Sequence, residues 1–262
     1  MNHTQLDDLT LYYQNRGTGY PLVLVHGLGS DHTVWEGLTP LLEKKYQVLS
    51  MDLRGHGRSS KTPGPYSMEL FSHDITQLLE SLDIDQAHFM GHSMGGAILQ
   101  ELALEHEDKI TSLTLISSFA CVDSHLNLIF RELLKILNDD GYNAFFDSCL
   151  KLTNTPEFID KNREFFLEVR DLMRKTSSIP ALKDTINACL EVNFIDSLKG
   201  LKVPTLVIAG SEDVFTPPYH AKNIKNTIPN SKMEIIDSMG HNLLVEKPQT
   251  TYNCISNFLK DL

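Results

Sequence analysis

The sequence predicts an α/β protein with a mostly parallel, doubly wound sheet and a helical segment inserted after the sixth strand. Two observations support this class. Short apolar, β-branched runs alternate with segments of helical periodicity up to about residue 118, and such alternation is typical of βα units with parallel strands. The alternation stops near Phe119, continues as helix alone, and resumes near Val203. A chain of 262 residues with this pattern fits one domain with an insertion.

The predicted sheet begins with an edge hairpin and a central strand. Apolar and more polar residues alternate from Leu9 to Tyr13, and a glycine-rich turn follows this stretch. The apolar run from Pro21 to Val25 comes next, and such a run is typical of a strand buried on both faces. The elements predicted after it are a helix from Val34 to Leu42, a strand from Tyr46 to Met51, a helix from Met68 to Leu82, a strand from Ala87 to Met90, a helix from Met94 to Glu105 and a strand from Ile110 to Ile116.

Residues 119–197 are predicted to form a helical cap, because apolar residues recur there at helical spacing. Leu133, Leu134 and Leu137 are one such set. Residues 1–118 and 198–262 are then predicted to form a single core domain. The elements predicted for its second part are a strand from Val203 to Ala209, a helix from Pro218 to Thr227, a strand from Met233 to Ile236 and a helix from Pro248 to Leu259.

Composition and charge disfavour several classes of protein. Hydrophobic residues make up 41% of the chain and charged residues 22%, and no apolar run is long enough to cross a bilayer. The N-terminus has neither the basic nor the apolar region of a secretory signal, so we expect a cytoplasmic protein without membrane contact. The net charge of -11 disfavours nucleic acid as a partner, since phosphate binding needs clustered cations.

The cysteines and histidines predict neither a metal site nor a disulfide framework. Cys121, Cys149, Cys189 and Cys254 are far apart in the chain and lack CxxC spacing. No pair of histidines has the spacing of metal ligands. We therefore expect a protein without a metal or another cofactor.

A serine between glycines follows a predicted strand and precedes a predicted helix. The segment Gly91–Gly96, with the sequence GHSMGG, has the context that a G-x-S-x-G nucleophile elbow requires. Such a turn exposes the Ser93 hydroxyl, and the following helix directs its amides toward a developing oxyanion. Ser93 is the predicted nucleophile and the Met94 N–H is one predicted oxyanion donor. A serine in a glycine-rich turn is otherwise only a helix cap, so the prediction depends on further residues.

A second glycine turn, His26–Gly29 with the sequence HGLG, ends the first central strand. A turn at this position directs backbone amides toward the nucleophile and completes an oxyanion hole. The Leu28 N–H is the predicted second donor. His26 is interpreted as a residue that braces the loop rather than as a catalytic base.

Two turns in the second part of the chain carry a candidate acid and a candidate base. Asp213 follows the strand that ends at Ala209 and is the candidate acid, with Glu212 as a less favoured alternative. The other interpretation of Asp213 is that it caps the helix that follows. His241 follows a glycine after one more strand. A serine hydroxyl is almost wholly protonated at neutral pH, so it needs a base, and the base needs an acid to orient it. The chain order Ser93, Asp213, His241 is one in which such triads occur.

These motifs together resemble the α/β-hydrolase superfamily over essentially the whole chain. The matching segments are His26–Gly29, Asp52–Ser59, Gly91–Gly96, Asp213 in its turn, and Gly240-His241. The resemblance implies the α/β-hydrolase fold, with Asp52–Ser59 as a structural turn. Serine at position 93 disfavours the haloalkane dehalogenase and epoxide hydrolase branches, which attack with a carboxylate. The chain is similar to compact, single-cap bacterial carboxylesterases, 3-oxoadipate enol-lactonases, carbon–carbon bond hydrolases and the biotin-pathway methyl esterase.

The predicted function is hydrolysis of a small carboxylic ester or lactone through an acyl-enzyme, by a monomer or a small homo-oligomer. Two alternatives stay open: carbon–carbon bond hydrolysis of a diketone, and a ligand receptor or signalling partner that keeps the hydrolase scaffold. Trp35 and Phe119 are candidates for the substrate pocket, with ordinary core packing as the alternative for each.

Basic residues of the cap either form a solvated face or receive a carboxylated substrate or an acyl carrier protein. The second possibility would favour the enol-lactonase or methyl-esterase activities. These residues include Arg131, Lys135, Lys151, Lys161, Arg163, Arg170, Arg174 and Lys175.

Overall fold

The structure is a computed structural model that describes residues 2–262. Over this range the chain forms a sheet of eight strands with helices on both faces and a group of helices inserted between the sixth and seventh strands. The strands are β1 (Asn2–Gln5), β2 (Thr10–Arg16), β3 (Tyr20–Val25), β4 (Tyr46–Met51), β5 (Ala87–His92), β6 (Ile110–Ile116), β7 (Thr205–Gly210) and β8 (Ser231–Ile236).

The sheet is mostly parallel. Its spatial order is β1-β2-β4-β3-β5-β6-β7-β8, in which β1 and β2 run antiparallel to their neighbours and the strands from β4 to β8 pair in parallel. The strand order reverses at β3, because β4 lies on one side of it and β5 on the other. In α/β sheets, ligands bind beyond the carboxyl ends of the strands at such a point. The topology confirms the predicted fold class. It also places the carboxyl end of β5 next to the point where the strand order reverses.

Side chains of the strands alternate between two hydrophobic cores. Val25 and Phe89 belong to the larger core, which includes apolar side chains of the helical segments 68–81 and 94–105 and continues into the cap. Leu24 and Met90 belong to the smaller core on the other face, together with Trp35. Burial on both faces explains why the central strands are continuous apolar runs in the sequence.

The helices begin where side chains or prolines favour a start. The Ser67 hydroxyl accepts the Leu70 N–H at 3.1 Å before the helix that starts at Met68, and the Asp123 carboxylate accepts the Leu126 N–H at 3.0 Å before the helix that starts at Ser124. The α-helices are α1 (Thr39–Leu42), α2 (Met68–Ser81), α3 (Met94–Glu105), α4 (Ser124–Asp139), α5 (Gly141–Thr153), α6 (Pro156–Lys161), α7 (Arg163–Thr176), α8 (Ile179–Leu190), α9 (Pro218–Thr227), α10 (Leu243–Glu246) and α11 (Pro248–Lys260).

The helix predicted from Val34 to Leu42 is wrong as a single element. The chain instead forms a 3₁₀ turn, His32–Trp35, and then the short helix α1. Pro40 explains the restart, since proline has no N–H to donate to the preceding turn and is tolerated only in a first helical turn. Gly37 lies between the two pieces, where a Cβ would stand 2.9 Å from the Leu244 carbonyl oxygen. The break lets this segment pack closely against α10.

The cap consists of α4 to α8, and its α5 end is tied to the segment that follows β8. The Asn242 N–H donates to the Thr153 carbonyl oxygen at 2.8 Å. The Thr155 hydroxyl donates to Glu246 Oε2 at 2.7 Å, and the Thr155 N–H donates to Glu246 Oε1 at 3.1 Å. These three bonds join the cap to Asn242, which follows His241, and to the end of α10.

A buried ion pair holds the turn after β4 against α2. Arg54 Nε and Nη2 each lie 2.6 Å from a carboxylate oxygen of Asp74, and both side chains are at most 2% exposed. Asp8 adds further contacts at 3.0 and 3.2 Å. Burial alone would lower the pKa of Arg54, but the hydrogen bonds to Asp74 and Asp8 raise it above its ordinary value. The guanidinium therefore stays charged inside the protein.

Within residues 2–262, none of the helices has both the length and the hydropathy that crossing a bilayer requires.

Candidate active site

Ser93 lies in a sharp turn between a strand and a helix. β5 ends at His92 and α3 begins at Met94, so β5 is two residues longer than predicted and reaches the turn itself. Ser93 has φ 54° and ψ −120°, a backbone conformation that L residues adopt rarely. The Ser93 N–H donates to the Ile116 carbonyl oxygen at 2.8 Å, and the Ser93 carbonyl oxygen accepts the Ser118 hydroxyl at 2.9 Å. Hydrogen bonds to the Ser93 backbone therefore hold the strained turn, and the Ser93 hydroxyl is not needed for this purpose.

Glycines allow the strand and the helix of this turn to approach each other. A Cβ on Gly91 would stand 2.5 Å from the carbonyl carbon of Gly95. Real Cβ atoms do not come this close to backbone, so the position requires glycine. The packing explains why the two glycines flank the serine in the sequence.

The structure brings His241 and Asp213 into direct contact. The two side chains are at most 3% exposed, and His241 Nδ1 lies 2.8 Å from Asp213 Oδ2. Asp213 Oδ1 accepts the backbone N–H groups of Phe215 at 2.9 Å and Thr216 at 2.8 Å, which stabilise the ionised carboxylate. Since Nδ1 donates to the carboxylate, Nε2 of His241 is the free acceptor. Glu212, the alternative acid, is exposed instead.

Thr216 is a site residue that the sequence analysis missed. Its hydroxyl lies 2.8 Å from Asp213 Oδ2 and 3.0 Å from His241 Nδ1. The ring of Phe215 packs on the His241 ring with centroids 4.9 Å apart. A threonine three residues after an aspartate, in a turn closed by proline, is the signal that points to this arrangement.

The His26–Gly29 loop lies over the nucleophile. A Cβ on Gly27 would stand 3.1 Å from the Cβ of Ser93, so the loop and the elbow are in contact there. Leu28 lines the same cavity as Ser93 and His241. Met94 is the first residue of α3, and an amide at this position has no partner within its helix. Leu28 and Met94 thus remain candidates for the two oxyanion donors.

Two neutral histidines brace this loop. His26 Nδ1 donates to the Gly27 carbonyl oxygen at 2.8 Å, and Nε2 accepts the Leu53 N–H at 3.0 Å. His56 Nδ1 donates to the Arg54 carbonyl oxygen at 2.9 Å, and Nε2 accepts the Gly29 N–H at 3.3 Å. Burial lowers the pKa of His26 and lowers that of His56 to about 3. Both rings use their nitrogens on backbone, which agrees with a structural role.

His92, next to the nucleophile, is buried, with 6% exposure. Its Nε2 donates to the backbone carbonyl oxygen of His241 at 3.1 Å, and the two rings lie 5.0 Å apart. Burial is the main reason that the pKa of His92 is lowered to about 3, and the nearby His241 lowers it further. The ring is therefore neutral around neutral pH and supports the backbone of His241.

These buried neutral histidines predict a loss of stability in mild acid. An unfolded histidine takes up a proton below a pKa of about 6.5, whereas folded His56 and His92 stay neutral down to about 3. The unfolded state then binds more protons, so each residue lowers the free energy of unfolding by about 1.4 kcal/mol per pH unit below 6.5, and by nothing above it. Urea unfolding at pH 7.5, 6.0 and 5.0 measures this slope. His92→Phe should reduce the dependence of the free energy of unfolding on pH below 6.5. Equal slopes for the variant and the wild type would contradict the prediction.

A cavity of about 220 Å³ opens between the cap and the strand ends, and Ser93 and His241 both line it. Among residues 2–262, no lysine, arginine, aspartate or glutamate contributes to its wall. The lining side chains are mostly aromatic or aliphatic. They include Leu28, Val34, Tyr142, Phe145, Phe146, Cys149, Leu150, Phe165, Phe166, Val169, Met173, Phe215 and Val245.

The structure does not place Trp35 or Phe119 on the wall of this cavity. Both are fully buried: Trp35 packs in the smaller core, and Phe119 packs in the larger core against Phe130. The correction has a physical cause, since the sequence position of a residue beside a functional loop does not fix the side of the sheet that its side chain takes. The aromatic wall comes from α5, α7 and Phe215 instead.

One cluster of possible metal ligands exists within residues 2–262, formed by Asp31, His32 and Asp52. Asp52 Oδ1 accepts the backbone N–H of His32 at 2.8 Å and lies 2.6 Å from its Nδ1. Asp52 Oδ2 accepts the Arg58 N–H at 2.7 Å. The Asp52 carboxylate thus ties the turn after β4 to the 3₁₀ turn His32–Trp35, which agrees with a structural role.

The fold is that of the α/β-hydrolase class. The chain belongs to the alpha/beta hydrolase fold family, whose model matches residues 20–248. This membership confirms the resemblance seen in the sequence motifs.

Similar proteins carry hydrolase names. The putative carbamate hydrolase RutD of Caulobacter sp. (strain K31) is 27% identical over 241 residues, which cover 91% of this chain and 90% of that protein. The 3-oxoadipate enol-lactonase 1 of Acinetobacter baylyi is 29% identical over 257 residues, which cover 92% of this chain and 89% of that protein. The enol-lactonase structure from Burkholderia xenovorans LB400 superposes with a TM-score of 0.92 at 25% identity, covering 99% of this chain and 100% of the other. The chain is accordingly a hydrolase of this fold.

Proposed function

We propose that the protein is a serine hydrolase that cleaves a small, uncharged carboxylic ester or lactone through an acyl-enzyme. The contact between Asp213 and His241 Nδ1, beside a cavity that Ser93 also lines, carries the proposal. That contact fixes the tautomer in which His241 Nε2 is a base, and it places an anion where an imidazolium would form.

In the proposed mechanism, Ser93 Oγ attacks the carbonyl carbon while His241 Nε2 takes the hydroxyl proton. The N–H groups of Leu28 and Met94 stabilise the negative charge that develops on the carbonyl oxygen. The bond to the alcohol oxygen then breaks as His241 returns the proton to that oxygen. A water molecule then attacks the acyl carbon while His241 Nε2 takes its proton, the bond from that carbon to Ser93 Oγ breaks as His241 returns the proton to Oγ, and the carboxylic acid leaves.

The apolar wall of the cavity favours an uncharged substrate. A carboxylate that entered it would lose hydration without gaining a cationic partner from the wall, and burial of an unpaired charge is costly. Among the basic cap residues, Arg170 instead pairs with Asp147 at 3.1 Å. This distribution of charge supports a neutral ester over a carboxylated lactone or a carboxylated diketone.

Carbamates are a second candidate substrate class, favoured by the similarity to putative carbamate hydrolases. A carbamate presents the same carbonyl carbon and leaving oxygen to Ser93, so the same residues serve the reaction. It belongs in the first substrate panel.

The test is turnover of p-nitrophenyl esters of increasing acyl length, with a p-nitrophenyl carbamate beside them. We expect brisk hydrolysis of short-chain esters and covalent labelling of Ser93 by an alkyl fluorophosphonate, located by mass spectrometry. A peptide containing Ser117 or Ser118 serves as the internal control for labelling. Folded protein that hydrolyses none of these compounds would overturn the proposal and favour the diketone hydrolase or the receptor.

A further inference from the structure

The buried hydroxyl of Thr216 lies within hydrogen-bond distance of three groups at once. Its Oγ1 is 2.8 Å from Asp213 Oδ2, 3.0 Å from His241 Nδ1 and 3.0 Å from the Ser117 carbonyl oxygen. The residue is 2% exposed, so water does not compete for these contacts. A hydroxyl has a single hydrogen to donate. The acceptor that receives this hydrogen determines how Thr216 acts on the pair of Asp213 and His241.

Two of the three groups compete for the hydroxyl hydrogen. His241 Nδ1 donates its own hydrogen to Asp213 Oδ2 at 2.8 Å, so it offers no lone pair to Thr216. The Ser117 carbonyl oxygen and the ionised Asp213 carboxylate both only accept hydrogen bonds. A hydrogen bond to a charged acceptor is shorter and stronger than one to a neutral acceptor. The shorter contact, 2.8 Å to Asp213 against 3.0 Å to Ser117, agrees with donation to the carboxylate.

Donation to Asp213 weakens the hold of that carboxylate on a positive charge at His241. A hydrogen bond stabilises the negative charge of the carboxylate, so the same charge stabilises an imidazolium less. The geometry acts in the same direction. Thr216 Oγ1, Asp213 Oδ2 and His241 Nδ1 form a triangle with sides of 2.8, 2.8 and 3.0 Å. A hydrogen on the side that joins Oγ1 to Oδ2 lies nearer to Nδ1 than Oγ1 does, and its partial positive charge disfavours protonation of the ring.

Two buried histidines face this pair and do not offset the effect of the hydroxyl. The His92 ring, at the end of β5, lies 5.0 Å from the His241 ring, and burial is the main reason that its pKa is lowered to about 3. His220, in α9, is close enough to Asp213 to feel the charge of its carboxylate, and burial lowers the pKa of His220 as well. Both rings are therefore uncharged around neutral pH.

We propose that Thr216 is a positioning residue whose hydroxyl donates to Asp213 Oδ2 and thereby makes His241 a weaker base than Asp213 alone would make it. This role rests on the proposed ester hydrolysis and deepens it. A less basic imidazole stays unprotonated to lower pH, and it returns its proton more readily to the leaving oxygen. The hydroxyl of Thr216 thus extends hydrolysis toward mild acid.

The test follows the ionisation of His241 in the protein without substrate. The histidine Cε1–H signals are recorded by NMR as a function of pH, and His241→Gln identifies the His241 signal by its loss. We expect the midpoint of this titration to rise by about half a pH unit or more in Thr216→Val and to stay near the wild-type value in Thr216→Ser, which keeps the hydroxyl. Thr76→Val is the matched control and should leave the midpoint unchanged, since the Thr76 hydroxyl is buried and bonds the Ser72 carbonyl oxygen within α2 at 3.2 Å. Circular dichroism at each pH restricts the comparison to folded protein.

The kinetic counterpart is the acidic limb of kcat/KM for p-nitrophenyl butanoate, which reports groups of the free enzyme and should move by the same amount. An unchanged NMR midpoint in Thr216→Val overturns the inference. A lowered midpoint also overturns it, because it would mean that the hydroxyl accepts from the ring and donates to Ser117. The expected NMR shift in folded protein that hydrolyses no ester supports the hydrogen bond and overturns the proposed function alone. If Thr216→Val does not fold, Thr216→Ala decides, since it removes the hydroxyl without placing a methyl group against the carboxylate.

Discussion

Replacement of Ser93 by alanine is expected to lower kcat for p-nitrophenyl butanoate by about four to six orders of magnitude. The hydroxyl is the proposed attacking group, and water bound near His241 is a poor substitute for a covalent nucleophile. The protein should stay folded, because the hydrogen bonds that hold the elbow come from the Ser93 backbone. Alanine also keeps the Cβ that serine already carries at this positive φ, so the substitution adds no steric strain.

The comparison needs a serine remote from the cavity as its control. Ser81, at the end of α2, bonds the Leu78 carbonyl oxygen within its own helix. Ser81→Ala should keep kcat within about threefold of the wild type, since surface substitutions away from special features have small effects. Initial rates at saturating substrate and thermal unfolding of all three proteins complete the measurement. A Ser93→Ala protein that retained a tenth of wild-type turnover would exclude Ser93 as the nucleophile.

Replacement of Arg54 by methionine is expected to lower the free energy of unfolding by about 3–5 kcal/mol. The substitution leaves the Asp74 carboxylate, which is 1% exposed, without its cation inside the protein. Breaking one partner of a buried pair costs more than the pair itself contributes, because the remaining charge is uncompensated. Urea unfolding followed by tryptophan fluorescence gives the free energies, since the single Trp35 reports on the smaller core.

Two further variants identify the cause of this destabilisation. The double variant Arg54→Met with Asp74→Leu removes both charges and should recover much of the stability lost by Arg54→Met. Arg16, which pairs with Glu36 at 3.0 Å and Glu43 at 2.7 Å, is 34% exposed, so Arg16→Met should cost about 1 kcal/mol or less. Equal losses for Arg16→Met and Arg54→Met would show that burial of the pair is not the cause.

Periodicity was sufficient to predict the sheet, because parallel strands buried on both faces must be apolar throughout. The run from Pro21 to Val25 and the alternation up to Ile116 therefore identified most central strands and the point of insertion. Helix breaks were harder to predict, because the interruption near Gly37 depends on close contact with α10, which is distant in sequence. The short edge strand β1 escaped prediction because it packs little apolar surface.

Motif spacing was sufficient to propose Ser93, Asp213 and His241 as candidates, because each follows a strand at a glycine or acidic turn. The partners that orient them were not visible in the sequence. Thr216 and His92 act through contacts of about 3 Å that local spacing does not encode, and the pocket aromatics come from helices without motifs. Cap sequences are restricted mainly by apolar periodicity, which does not specify which face meets the cavity.

The bonds that Thr153 and Thr155 make to Asn242 and Glu246 have a consequence for how such enzymes diversify. The cap cannot be exchanged on its own, because its α5 end also holds the segment next to His241, the proposed base. Grafting a cap from a relative would change the walls of the pocket and the placement of the imidazole together. Chimeras should therefore keep the junction at the α5 end from the same parent as the loop after β8.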